Sequence, residues 1–256
     1  MTERLDRRGF GLRLTTGLAS LLLSGCGDEV SERPWVRHLL DKAEDLNYWL
    51  QRRVLPHNAL APEYDEADLS PQFRANGSTD PDDEDYRRLA DNDFADWRLT
   101  VGGLVERAER FSLVDLRALP SRTQITRHDC VEGWSCIGKW TGTPLAALLQ
   151  RVGVRPQARF VMFHCADTME DGTDRYYESI GLDDAFHPQT ILAYDMNGAA
   201  LPVAHGAPLR LRVERQLGYK MAKYVMAIEL IESFSHIGRG RGGFWEDRGY
   251  EWYAGI

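Results

Sequence analysis

The chain has 256 residues, 43% of them hydrophobic and 27% charged, and a net charge of −8 at pH 7. That length allows one or two domains with a sizeable core. The acidic balance argues against nucleic-acid binding, which needs a basic footprint, so any basic cluster in this chain is informative.

The N-terminus, MTERLDRRGFGLRLTTGLASLLLSGCGDE, sets the compartment. The pair Arg7-Arg8, a short apolar run and Leu23-Ser24-Gly25-Cys26 have the layout of an export signal of the twin-arginine type. The run from Leu14 to Leu23 is too short to span a bilayer, which takes roughly 20 apolar residues. LSGC resembles a lipobox, so the expectation is a periplasmic protein held to the membrane through lipidated Cys26. Residues 1–26 are then the signal, 27–69 an N-terminal extension, and 70–256 the main domain. The twin-arginine route carries folded cargo, which points to a cofactor loaded before export.

From Pro34 to Val54, apolar residues at 35, 39, 43, 46 and 50 follow a helical period, with Trp49 beside them. Residues 56–96 are rich in Pro, Asp and Glu and read as loop, with a short helix around Tyr86 to Ala90. LTVGGLV reads as a strand, and Ser112 caps a short helix stopped by Pro120. RTQITRH alternates as a strand and delivers Cys130 to its end. LAALLQRV, entered through Thr143-Pro144, is a helix stopped by Gly153. RFVMFH, RYYESI, TILAYDM, LRLRV and VMAIELIESF supply further strands, and Asn197-Gly198 is a hairpin signal. Strands outnumber helices without a βαβ rhythm, which predicts a mixed α+β domain, mostly β, with an N-terminal helical extension.

Gly238, Gly240 and Gly243 satisfy G-x-G-x-x-G, but a dinucleotide fold needs a helix after the motif and an acidic residue about 20 positions on. The chain ends too soon for that, so the glycines read as a loop. No C-x-x-C-H motif for attaching c-type haem occurs.

With Cys26 assigned to lipid, Cys130, Cys136 and Cys165 leave an odd thiol in an oxidising compartment. Cys130 follows Arg127-His128-Asp129 and precedes Val131-Glu132-Gly133-Trp134; positive neighbours favour the thiolate, which is the metal-ligating form. Downstream, Arg210, Arg212, Arg215, Lys220 and Lys223 cluster in HGAPLRLRVERQLGYKMAK, broken by Gly206, Pro208 and Gly218. Arginine forks and lysine point charges are the usual partners of phosphate. An orphan thiol with a phosphate-seeking cluster points to a phosphorylated metal cofactor. Two other readings stay open: a non-catalytic anion-binding lipoprotein, and a domain stabilised by zinc on the cysteines and His164.

CVEGWSCIGKWTGTPL, LAYDMNGAALPVAHGAPLRLRVERQLGYKMAKYV and the ending GGFWEDRGYEW resemble the molybdopterin-dependent oxidoreductases of the sulfite oxidase superfamily, in particular its exported bacterial members. The resemblance covers residues 70 to 256. It implies molybdenum on a single pterin dithiolene, with Cys130 as the protein sulfur ligand. By motif it makes His205 and Arg210 contacts of the pterin phosphate and adds Met221, Ala222 and Lys223. Cys165 and Asn76 take further pterin positions. The implied activity is oxygen-atom transfer to or from a sulfur substrate, sulfite or a sulfoxide. Its electrons pass singly to or from an external carrier such as a cytochrome or membrane haem protein. Arg127 and the pair Tyr176-Tyr177, Tyr177 foremost, are candidates for substrate or proton contacts.

Overall fold

The computed structural model describes residues 33–54, 56, 58–169 and 174–256; the expected export signal with Arg7-Arg8 and the expected lipid-bearing Cys26 lie outside the described residues. The chain divides into Met1–Val54 and Leu55–Ile256. In the first unit, Pro34–Val54 forms one helix, α1. No described helix is long and apolar enough to cross a membrane.

The second unit is built on two sheets. In the first, β1 (Leu99–Gly103), β2 (Glu109–Phe111), β5 (Phe160–Thr168), β6 (Arg175–Gly181) and β10 (Val225–Ile231) lie in the order β2-β1-β10-β5-β6. Only β1 and β10 run parallel. In the second, β3 (Arg122–Asp129), β4 (Ser135–Pro144), β7 (Ile191–Met196) and β8 (Ala199–Ala200) follow in that order, and β9 (Arg210–Arg212) pairs with β7. The helices are short: α2 (Glu84–Asp91), α3 (Leu113–Ala118), α4 (Leu145–Val152) and α5 (Leu182–Ala185). This is the mixed α+β arrangement expected from strands without βαβ rhythm.

Local chemistry explains the boundaries. Ser112 accepts from the Asp115 amide at 3.1 Å while Asp115 returns to the Ser112 amide at 2.8 Å, a capping box that starts α3. Asn197 and Gly198, at φ 51° and 81°, make the primed turn of the β7–β8 hairpin. In α4, Leu145, Leu148, Leu149 and Val152 are all buried, and they join Val101, Val161, Phe163, Ile228 and Leu230 in the main core. A second, smaller core gathers Phe73, Trp140, Ile191 and Ala193 behind β4.

Sequence patterning misses the short β2 and, more consequentially, strand β4. Its segment SCIGKWTGTP carries two glycines and no clean alternation, yet pairs with β3 on one side and β7 on the other. Gly138 lies against the Phe73 ring, where a Cβ would stand 3.0 Å from it. At Gly142 a Cβ would drive into the backbone of Leu192 and Ala193. The glycines that hide the strand are therefore what lets it sit centrally. Gly142→Ala should cost about 3 kcal/mol, the upper part of the overpacking range, because the obstructing atoms are backbone. Urea unfolding measures it, and a loss under about 0.5 kcal/mol would contradict this packing.

Candidate molybdopterin site

Cys130 leaves the end of β3 in a tight turn. Its amide donates to the Trp134 carbonyl at 3.0 Å, the Gly133 amide donates to the Cys130 carbonyl at 3.0 Å, and Gly133 adopts φ +83°. The thiol residue is 8% exposed and stands on the wall of a cavity of about 160 Å³. Cys130, Val131 and Glu132 come from this turn, Asp167 and Met169 from the end of β5, and Tyr176 from β6. Gly218, Tyr219, Met221 and Lys223 form another wall, Asn76–Ser78 a third, and Trp245 with Tyr250 close the rim. The cavity thus lies where strand ends of both sheets meet.

The thiol is not activated by its sequence neighbours. Burial pushes its pKa up, opposed in part by the Glu132 and Val131 amides. Arg127 is turned outward into an ion pair with Asp129 at 2.9 Å, half exposed, and does not line the cavity. His128 is fully buried and held neutral, first by burial and then by Arg212. The expected thiolate stabilisation by Arg127 and His128 is therefore absent, and a bound metal ion is the agent that would ionise this thiol.

The basic cluster separates into two kinds. Arg212 is paired with Glu214 at 2.5 Å, both fully buried, and Gln124 donates to the same carboxylate at 2.8 Å. Lys220 sits between Glu178, at 2.5 Å, and Glu246, again fully buried. Arg215 meets Asp184 at 3.3 Å. These three cations are neutralised internally.

Arg210 and Lys223 make no salt bridge among the described residues, although the Asp167 carboxyl lies near enough to Lys223 for each to influence the other. Arg210 is 1% exposed and lies over the Trp140 ring at 4.8 Å; it donates to the His205 carbonyl at 2.9 Å and leaves its Nε without a partner. Lys223 donates only to the carbonyls of Asn76, at 2.6 Å, and Ser78. Burial and then Arg210 bring Lys223 down to about 7, while burial and then Arg212 bring Arg210 down to about 9. Lys223 lines the cavity, whereas Arg210 and His205 do not; a buried lysine with a buried arginine near it is a candidate receptor for a strongly charged anion such as a phosphate. His205, half-buried beside Phe73, is lowered to about 4 by burial, Arg210 and Lys223, and so remains neutral next to them.

The remaining candidates divide as well. Asn76, Met221 and Lys223 line the cavity; Met221 Sδ lies 3.3 Å from His128 Nδ1. Ala222 is buried between them, its carbonyl taken by the Leu211 amide at 2.8 Å. Cys165 is buried in the main core and does not line the cavity, although it lies near enough to Lys223 and Tyr176 to influence both. Tyr177 is tied to Asp247 and does not reach the cavity, whereas its neighbour Tyr176 does, with its hydroxyl donating to the Tyr219 carbonyl. Strand alternation puts adjacent tyrosines on opposite faces, and Tyr176 has the facing position. The zinc alternative also falls away: among the described residues no three His, Cys, Asp or Glu side chains are grouped to hold a metal ion.

Asp167 was not singled out by sequence patterning. It is 3% exposed, its Oδ1 has no hydrogen-bond partner, and burial raises it to about 6 despite Lys223 nearby. A buried carboxyl oxygen on the wall calls for a donor. Phosphate and dithiolene offer only acceptors, but the amino and ring N–H groups of a pterin are donors. The donor set therefore fits the cofactor: a thiol for the metal, buried cations for phosphate, a buried carboxyl for the ring edge. Because the Asp167 pKa is raised above the ordinary 3.8, its stability contribution is full below about pH 4 and is lost as pH rises through about 6. In cofactor-free protein, Asp167→Asn should gain about 1–2 kcal/mol relative to the parent at pH 8 and almost nothing at pH 4. Urea unfolding at the two pH values checks this; an equal gain at both would contradict it.

Comparison with known proteins agrees with the donor set. Residues 87–236 match the family described as oxidoreductase molybdopterin binding domain. A putative protein-methionine-sulfoxide reductase subunit of Azospira oryzae is 38% identical over 249 residues, covering 97% of this chain and 87% of the relative. The catalytic subunit of protein-methionine-sulfoxide reductase from Ralstonia nicotianae is 30% identical, covering 84% of this chain and 67% of its own length. Among solved structures, the sulfane dehydrogenase SoxCD of Paracoccus pantotrophus is similar with a TM-score of 0.50 and 25% identity, over 54% of this chain and 39% of that one. The thiol, the two cations without a salt bridge and the orphan carboxyl thus stand in a chain that belongs to the molybdopterin-binding oxidoreductases of the sulfite oxidase superfamily, enzymes that work with a molybdenum–molybdopterin cofactor.

Proposed function

We propose that this molybdenum oxidoreductase is an exported, membrane-anchored reductase of sulfoxides, with Cys130 as the protein ligand to molybdenum. The observation that carries the substrate reading is the charge of the cavity wall. Glu132 and Asp167 are acidic, while Tyr176, Tyr219, Trp245, Tyr250, Met169 and Met221 are aromatic or thioether. Lys223 is the only cation among the described lining residues, and its ammonium is already held by two carbonyls. With Lys223 assigned to the cofactor phosphate and Glu132 already paired with Arg74 at 3.5 Å, the rest of the lining offers an anion such as sulfite no cation of its own. A neutral sulfoxide, with its apolar substituents and its soft sulfur, suits aromatic and methionine surfaces. The relatives named as methionine-sulfoxide reductases support the same reading.

When bound, the molybdenum cofactor supplies two-electron oxygen-atom transfer. Overall a sulfoxide, two protons and two electrons become a thioether and water, the electrons arriving singly from an external carrier, for which a membrane haem protein is the proposed type. Arg210 and Lys223 hold the phosphate, with neutral His205 beside them. Asp167 accepts from the pterin edge. The Val131 and Glu132 amides orient Cys130. The aromatic rim of Trp245 and Tyr250, stacked 5.4 Å apart, keeps water from the sulfoxide and orients it. Export rests on the Arg7-Arg8 signal and anchoring on Cys26.

With reduced viologen as donor, the purified enzyme should reduce methionine sulfoxide and should show no sulfite oxidation with an artificial acceptor. Sulfite turnover without sulfoxide turnover would overturn the substrate reading. Cys130→Ser should lose at least about 100-fold in kcat while its unfolding midpoint stays unchanged; full turnover would remove Cys130 from the metal. Arg210→Ala combined with Lys223→Ala should lower the amount of pterin recovered per chain, measured by fluorescence of the oxidised pterin. Unchanged pterin content would refute the phosphate receptor.

A further inference from the structure

We infer that the exposed face of α1 is a membrane-contact surface that lies along the headgroups of an anionic phospholipid leaflet. Trp35, Leu39, Leu46, Trp49 and Leu50 are 62%, 58%, 61%, 52% and 48% exposed. Their spacing places them on one stripe of the helix. Lys42, two turns from Trp35, and Arg53, four residues after Trp49, fall on that same stripe and are also exposed. The Arg53 guanidinium stacks over the Trp49 ring at 5.1 Å.

The mixture decides the occupant. A stripe meant for a protein core excludes lysine and arginine from its centre, and a membrane-crossing helix needs an uninterrupted apolar run that α1 lacks. At a lipid surface the combination is favourable. Tryptophan near each end sits at headgroup level, leucines enter the acyl boundary, and basic side chains extend their stems over the apolar layer to reach anionic headgroups. The helix also begins eight residues after Cys26, the proposed acylation point, which would deliver it to such a surface. This goes beyond the lipid anchor proposed above and does not depend on it.

The test uses the chain from residue 27 onward, loaded with molybdenum and free of both signal and lipid, floated with vesicles. Phosphatidylglycerol–phosphatidylethanolamine vesicles should carry it, and phosphatidylcholine vesicles should carry it more weakly. Lys42→Gln with Arg53→Gln should weaken binding to the anionic vesicles about 25-fold, about fivefold per charge, and leave phosphatidylcholine binding unchanged. Trp35→Ser with Trp49→Ser should abolish both, with molybdenum content unaltered in every variant. No flotation, flotation indifferent to these substitutions, or binding only to native membranes that carry protein would overturn the inference, the last by assigning the face to a protein partner. Mass spectrometry of the exported protein tests the acyl group at Cys26 separately, so a missing anchor and an inert helix are distinguishable.

Discussion

Burying positive charge is the constraint on which the rest of this structure depends. Five basic residues between positions 210 and 223 are drawn into the interior or its margin, and each needs compensation. Glu214, Asp184 and the pair Glu178–Glu246 provide it for Arg212, Arg215 and Lys220. Arg210 and Lys223 receive carbonyls and aromatic faces but no salt bridge among the described residues. The division separates scaffold from proposed site: paired cations hold the loop in place, and the two without a salt bridge are those proposed to hold the cofactor's phosphate.

The scaffold cations act on the cavity through what they fix. Lys220, clamped by two carboxylates, anchors the turn Gly218–Lys220, and this turn presents Tyr219, Met221 and Lys223 to the cavity. Arg212 reaches across to His128 at 3.1 Å, tying β9 to the strand that ends in Cys130. A Cβ at Gly218 would strike the His128 ring, so the glycine lets the turn and β3 close to their observed separation. Thiol wall and cation wall are thereby held by two buried charge clusters, Lys220 with Glu178 and Glu246, and Arg212 with Glu214, Gln124 and His128, which approach each other where Gly218 packs on the His128 ring.

Much of this was legible in the sequence, and the failures have physical reasons. Strand ends and caps announced themselves through alternation and turn residues, and of the residues the motif resemblance singled out, Cys130 and Lys223 line the cavity while Arg210 is buried off it. Which cations were already paired could not be read, because Glu178, Asp184 and Glu246 are distant in sequence from the loop they neutralise. Tyr176 and Tyr177 could be told apart only by the facing of β6. Asp167 carried a faint signal, a carboxylate inside the apolar run FVMFHCADT, easily mistaken for the polar end of a strand. The glycine-rich GRGRGG, read as a loop, brings its backbone against an internal group: the Arg239 and Arg241 amides donate to the Asp247 carboxylate at 2.6 and 2.9 Å.

The central claim is that Cys130 completes the sulfur coordination of molybdenum in this cavity. X-ray absorption at the molybdenum edge of the purified enzyme tests it most directly. Three sulfur neighbours, two from the dithiolene and one from the protein, are the predicted result. Two sulfurs, with oxygen or nitrogen in place of the third, would contradict it.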